Sequence, residues 1–142
     1  MNSIFAMNEH ELKLDGIDKI SLDLDNVHGE VELETACFNY SRNFREDILY
    51  DPMLFQKLEE LWEGNSTDDL EKAHSFAAQD LFHAKQDFLL FQAQHGNFFE
   101  GVKNPAGNED LISRFETLKT AIEDAIQKNV MLEMAISCRE EQ

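Results

Sequence analysis

The chain has 142 residues, 42% of them hydrophobic, with 29 acids against 12 lysines and arginines and a formal net charge of −17. This length predicts one domain, large enough to bury a core without disulfide or metal staples. The charge excludes direct nucleic-acid binding and disfavours anionic membranes, because phosphates repel it, and no run of about 20 apolar residues could span a bilayer.

The start, MNSIFAMNEHEL, has no basic region followed by a long apolar run, so no signal peptide is read there. Ile4, Phe5 and Met7 have the makings of a short strand. Next, Leu12 and Leu14 alternate with Lys13 and Asp15, and Gly16 breaks the run. Ile20, Leu22 and Leu24 then alternate with Ser21, Asp23 and Asp25. After an Asx/Gly turn at 25–29, Val31, Leu33, Thr35 and Cys37 alternate with Glu30, Glu32, Glu34 and Ala36. Period-two patterning on both sides of such a turn predicts an antiparallel hairpin, with a third strand around Leu12. Its polar face would carry Asp23, Asp25, Glu30, Glu32 and Glu34 with no base among them. Like charges facing each other across strands destabilise a sheet, so a sequence that keeps them reads as holding a negative surface for a partner. The competing reading is a solvated face whose acids discourage edge pairing. From Met1 to Glu34 nine acids stand against two bases, the densest acidic zone of the chain.

Ser41 opens a short helix with Phe44 and Ile48, Tyr40 packing at its start. Asp51–Pro52 reads as an N-cap followed by proline in the first turn, for a helix of Leu54, Phe55, Leu58, Leu61 and Trp62 that ends at Gly64. Trp62 is read as core. Ser66 with Asp69 resembles a capping box for a long helix from Thr67 to His95. Leu70, Ala73, His74, Ala77, Leu81, Ala84, Phe88, Phe91 and His95 form its apolar stripe. Phe76 and Leu90 sit on its back, among Lys72, Gln79, Asp80, His83, Gln86 and Asp87. This helix is expected to be the centre of the fold. Residues 96–108 read as a loop carrying Phe98 and Phe99, each either a core ring or an anchor for a partner. The last helix spans about Glu109 to Arg139. Asn129 falls within its apolar stripe, and beyond Val130 the helix is apolar nearly all round, so that end must be covered.

The chemistry of catalysis finds little footing. Glu71–His74 and Asp80–His83 are acid-x-x-His pairs on one helix, nine residues apart. At about 100° per residue they point to opposite sides, so no metal is expected. Cys37 and Cys138 match no ligand spacing, and no nucleophile elbow, phosphate loop or dinucleotide fingerprint is present. The expectation is therefore a protein without enzyme activity or cofactor, cytoplasmic, with two ordinary thiols.

The predicted fold is α+β: a small N-terminal antiparallel hairpin over 1–38, then a bundle of three to four helices over 41–142 around one long central helix. The predicted function is to block a basic partner that acts on nucleic acid, such as a nuclease, by presenting carboxylates where phosphates are expected. An immunity protein or antitoxin fits, as does a phage protein that disables a restriction or CRISPR defence. The binding residues would be Asp23, Asp25, Glu30, Glu32, Glu34 and one of Phe98 and Phe99. The alternative is a small acidic chaperone or structural homodimer using Leu132, Met134 and Ile136.

Overall fold

Leu33, Cys37, Tyr40, Phe44 and Ile48 recur at helical spacing and form the buried stripe of helix α1 (Glu30–Tyr50). The structure, a computed structural model, describes residues 21–24, 27–99 and 109–140, without the side chains of 96–99. Three more helices follow: α2 (Pro52–Gly64), α3 (Thr67–Phe99) and α4 (Glu109–Glu140). Among the described residues 90% are helical and there is no strand.

The predicted α+β class is thus overturned, and the N-terminal hairpin with it. Its second strand is the first two turns of α1. The alternation there fails at two of its four inward positions: Val31 is 76% exposed and Thr35 is exposed, while Leu33 is 1% exposed. A short alternating run fits helix and strand alike. The stripe continuing through Tyr40, Phe44 and Ile48 decides for the helix, because each added residue contributes a backbone bond once the first turn exists. Over 21–24 the first strand keeps its alternation, but no partner strand lies among the described residues. Leu22 and Leu24 are buried, and Ser21 and Asp23 are exposed. The Leu22 amide donates to Glu123 Oε2 of α4 at 2.8 Å, so a helix side chain takes the place of a ladder. Gln92 of α3 donates to the Val27 carbonyl and ties down the same segment. The strands predicted at 4–7 and around Leu12, like Asp25, lie outside the described residues.

The other helices start where their caps predict. Asp51 accepts from the Met53 amide at 2.9 Å with Pro52 in the first turn, and Ser66 Oγ accepts from the Asp69 amide at 3.1 Å. Helix α3 runs on to Phe99, so the backbone at Phe98 and Phe99 is helical rather than loop.

Helices α3 and α4 form an antiparallel pair. Asn129 Nδ2 reaches the Ala77 carbonyl at 2.9 Å, and further along the Phe88 and Phe115 rings pack 5.8 Å apart. Helix α1 lies beside α4 in the same direction, with Gln127 donating to Tyr40 Oη at 2.7 Å and Arg45 to Glu133 at 2.9 Å. Helix α2 packs on α1 and α4. At its end the Arg139 guanidinium donates to the Trp62 carbonyl at 2.9 Å. Trp62 is half-buried, edge-on to Phe55 at 6.3 Å. The helix that packs on all the others is α4. It takes the central place that the long stripe of α3 predicts for α3. Along it Ile122, Ile126, Met131, Leu132 and Ala135 are all 1% exposed or less.

Candidate functional site

The five acids predicted to share a strand face do not share one. On a helix, Glu34 stands about 40° round from Glu30, and Glu32 about 200° from it. Glu30 and Glu34 flank a groove toward α3, lined also by Phe82, Lys85 and Leu89. There Lys85 Nζ donates to Glu34 Oε1 at 3.0 Å and Oε2 at 3.2 Å, so this acid holds two helices together. Glu32 looks the other way. It lines a cleft of about 360 Å³ between α1 and the extended segment that precedes it, with Asp23 among the other lining residues. Asp25 lies outside the described residues, as do the Phe98 and Phe99 side chains.

Glu30 and Glu32 also do a structural job. Helix α1 begins at Gly29 with no side-chain cap, and its first turn carries these two acids. Negative charge at a helix N-terminus is stabilising because it faces unsatisfied amides.

The cleft brings together residues that the strand reading hides. Thr35, Asn39 and Asn43, four residues apart, line it beside Asp23 and Glu32. Val31 lies at its mouth, largely exposed, and Tyr40 closes its floor. This spacing in the sequence is itself the missed signal: read with a 3.6 period, it is one polar stripe. The cleft therefore offers carboxylates, amides, a hydroxyl and one exposed aliphatic side chain. The carboxylates, amide oxygens and hydroxyl accept hydrogen bonds from a guanidinium or ammonium, and the carboxylates attract it.

The histidines and cysteines have separate surroundings. His74 Nε2 lies 3.3 Å from Glu133 Oε1, the carboxylate that also takes Arg45, so α1, α3 and α4 meet at one acid. The His83 ring stands edge-on to Phe82 at 5.7 Å. No group of three or more His, Cys, Asp or Glu side chains among the described residues is placed to hold a metal ion. Burial pushes the Cys37 thiol up to about 11, with Lys85 pulling it down and Glu34 pushing it further up. Of the three α4 residues predicted for a dimer seam, Leu132 is enclosed by the chain's own core, and Met134 and Ile136 are partly buried against it. No helix among the described residues is long and apolar enough to cross a membrane.

No family model, curated protein or solved structure matches this chain.

Proposed function

We propose that this is a non-enzymatic binding protein that blocks a basic, nucleic-acid-acting partner such as a nuclease. The setting is toxin immunity or phage counter-defence, and the place is the cytoplasm. The observation that carries the reading is how the charge is laid out. The chain holds 17 more negative than positive charges. Several of its cations are engaged by the chain's own groups: Arg45 and Lys85 pair with acids across helices, Arg139 binds a carbonyl, and Arg114 lies 5.2 Å from the Phe91 ring centre. Most of the described acids are exposed. A protein built to grip phosphates meets here a compact body covered in carboxylates. Such a field raises the rate of encounter, and a few close contacts then slow release.

The proposed contact is the cleft of Asp23 and Glu32, with Val31 as the apolar element at its mouth. Glu30 and Glu34 lie round the helix from it and add to the field. The test is affinity capture from a lysate of the source organism at low and high salt, with the bound proteins identified by mass spectrometry. The expected result is a basic nucleic-acid enzyme, released by salt and displaced by DNA or RNA. The pair Asp23→Lys and Glu32→Lys should weaken its capture at least tenfold while the helical circular dichroism is unchanged. Capture that resists salt, or that ignores this double reversal, would sink the reading.

A further inference from the structure

The acceptors of the cleft before α1 stand on two walls. Asp23 belongs to the extended segment, and Glu32, Asn39 and Asn43 belong to α1. Val27 and Val31 give the cleft an apolar part. No lysine or arginine is among its described lining residues, although the chain has 12. Its volume of about 360 Å³ lies at the lower end of the range for pockets that enclose a small ligand.

More negative groups converge behind the floor. Burial first, and then the charges of Glu123, Asp124 and Asp47, keep the proton on the Tyr40 phenol, against the hydrogen bond from Gln127. A separate observation concerns Asp47, one turn beyond Asn43 on the same stripe of α1. Its Oδ2 is buried and accepts no hydrogen bond. A buried acceptor without a donor is costly, and a charged one more so. Around the cleft the chain supplies acceptors and withholds donors.

We propose that the cleft is a receptor for one arginine side chain of the partner. Its guanidinium is held between Asp23 and Glu32 with the Asn39 and Asn43 amide oxygens beside it, and its methylenes lie against Val27 and Val31. The inference rests on the reading of this cleft as the contact for a basic partner, and adds which basic residue it takes. The layout selects arginine over lysine. A guanidinium is planar, carries five donors in fixed directions and is weakly hydrated, so it engages both walls at once. An ammonium is a compact, strongly hydrated point charge, which either carboxylate serves and to which the amides add little. Arginine is also the residue that grips phosphate through two parallel hydrogen bonds, so occupying it takes away a contact the partner needs for nucleic acid.

The test is a nuclear magnetic resonance titration of the isotopically labelled full chain at low salt, with N-acetyl-arginine amide and N-acetyl-lysine amide as probes. The arginine probe should bind saturably in the millimolar range, with shifts concentrated on the Asn39 and Asn43 side-chain amides and the Val31 methyls. The lysine probe should bind several-fold more weakly. Replacing both asparagines, Asn39→Ala with Asn43→Ala, leaves the net charge unchanged and should erase the preference for arginine. Both residues are exposed, so the circular dichroism should not change. Glu32→Gln should weaken both probes. Equal binding of the two probes, shifts spread over the acidic surface, or a preference that survives the loss of both asparagines would each overturn the receptor, while leaving a partner held by the field alone. Arginine seated in the cleft with no basic protein captured from the lysate would sink the partner reading and support the receptor.

Discussion

Asn129 is 8% exposed, and its Nδ2 donates to two carbonyls, Ala77 across the helix pair at 2.9 Å and Ala125 in its own helix at 2.8 Å. One amide thereby fixes how far α3 slides along α4. Aspartate at this position keeps the shape but has no donor, and sets a charge against two carbonyl oxygens. Asn129→Asp should cost about 3 kcal/mol or more. Asn129→Leu should cost clearly less, because it removes the polar group instead of stranding a charge. Urea unfolding of the two variants checks this, and equal midpoints would contradict it. Buried acids of another kind sit on α1. Burial pushes Tyr40 up to about 12, partly offset by the hydrogen bond from Gln127, and Cys37 up to about 11. Both folded-state values lie above the ordinary ones of 10.0 and 9.0. The folded protein therefore holds these protons more tightly than the unfolded chain. The stability that follows is complete below about pH 9 and is lost as pH rises through the two folded values. Melting curves from pH 8 upward should fall steeply. Cys37→Ala should flatten the part of the fall between about pH 9 and 11, and Tyr40→Phe the part between about pH 10 and 12.

Helices α2, α3 and α4 are legible in the sequence because each has one stripe, and the first two have caps with an unambiguous chemistry, Asp51–Pro52 and Ser66–Asp69. Helix α1 has neither advantage at its start. It begins at a glycine with no side-chain cap, and Val31, Leu33, Thr35 and Cys37 alternate by coincidence. Eight residues are too few to separate two periods, and the longer stripe through Ile48 is the arbiter. That one misreading also divides the predicted acidic face, since two acids that share a strand face end on opposite sides of a helix. Asp23 and Glu32 nevertheless line one cleft, between an extended segment and α1. The place of α4 was legible too, from a different clue. Val130, Met131 and Leu132 are consecutive and all buried, and a helix apolar on every side belongs in the middle of a bundle. Length singles out α3, but breadth of apolar surface is what decides centrality.

For the molecule as a whole, the excess of 17 negative charges acts against compactness. Cross-helix pairs such as Arg45–Glu133 and Lys85–Glu34 each involve at least one half-exposed carboxylate, and pairs open to solvent contribute about 0.2–1 kcal/mol each, too little to balance a surplus of this size. Screening should therefore help the fold more than it harms it. Raising sodium chloride from about 0.01 M to 0.5 M, which shrinks the Debye length severalfold, should raise the melting temperature by several degrees. Scanning fluorimetry measures this, and a melting temperature that falls with salt would show that ion pairs outweigh repulsion. The same experiment bears on binding, because the condition that firms the fold is the one that should loosen a basic partner.

The central position of α4 has a consequence for how the chain is made. Synthesis proceeds from the N-terminal side, so of the four described helices the one that all the others pack on leaves the ribosome after the rest. Until it does, the stripe of α1 and the Leu54–Leu58–Leu61 face of α2 have only each other to close on, and the Ala77–Phe88 side of α3 lacks the helix that covers it. The nascent chain carries apolar faces in the open until α4 emerges, the circumstance in which neighbouring chains stick to one another. The segments made before α4 are already rich in acids, and mutual repulsion holds such chains apart. The charge thus has work to do before there is any fold for it to decorate.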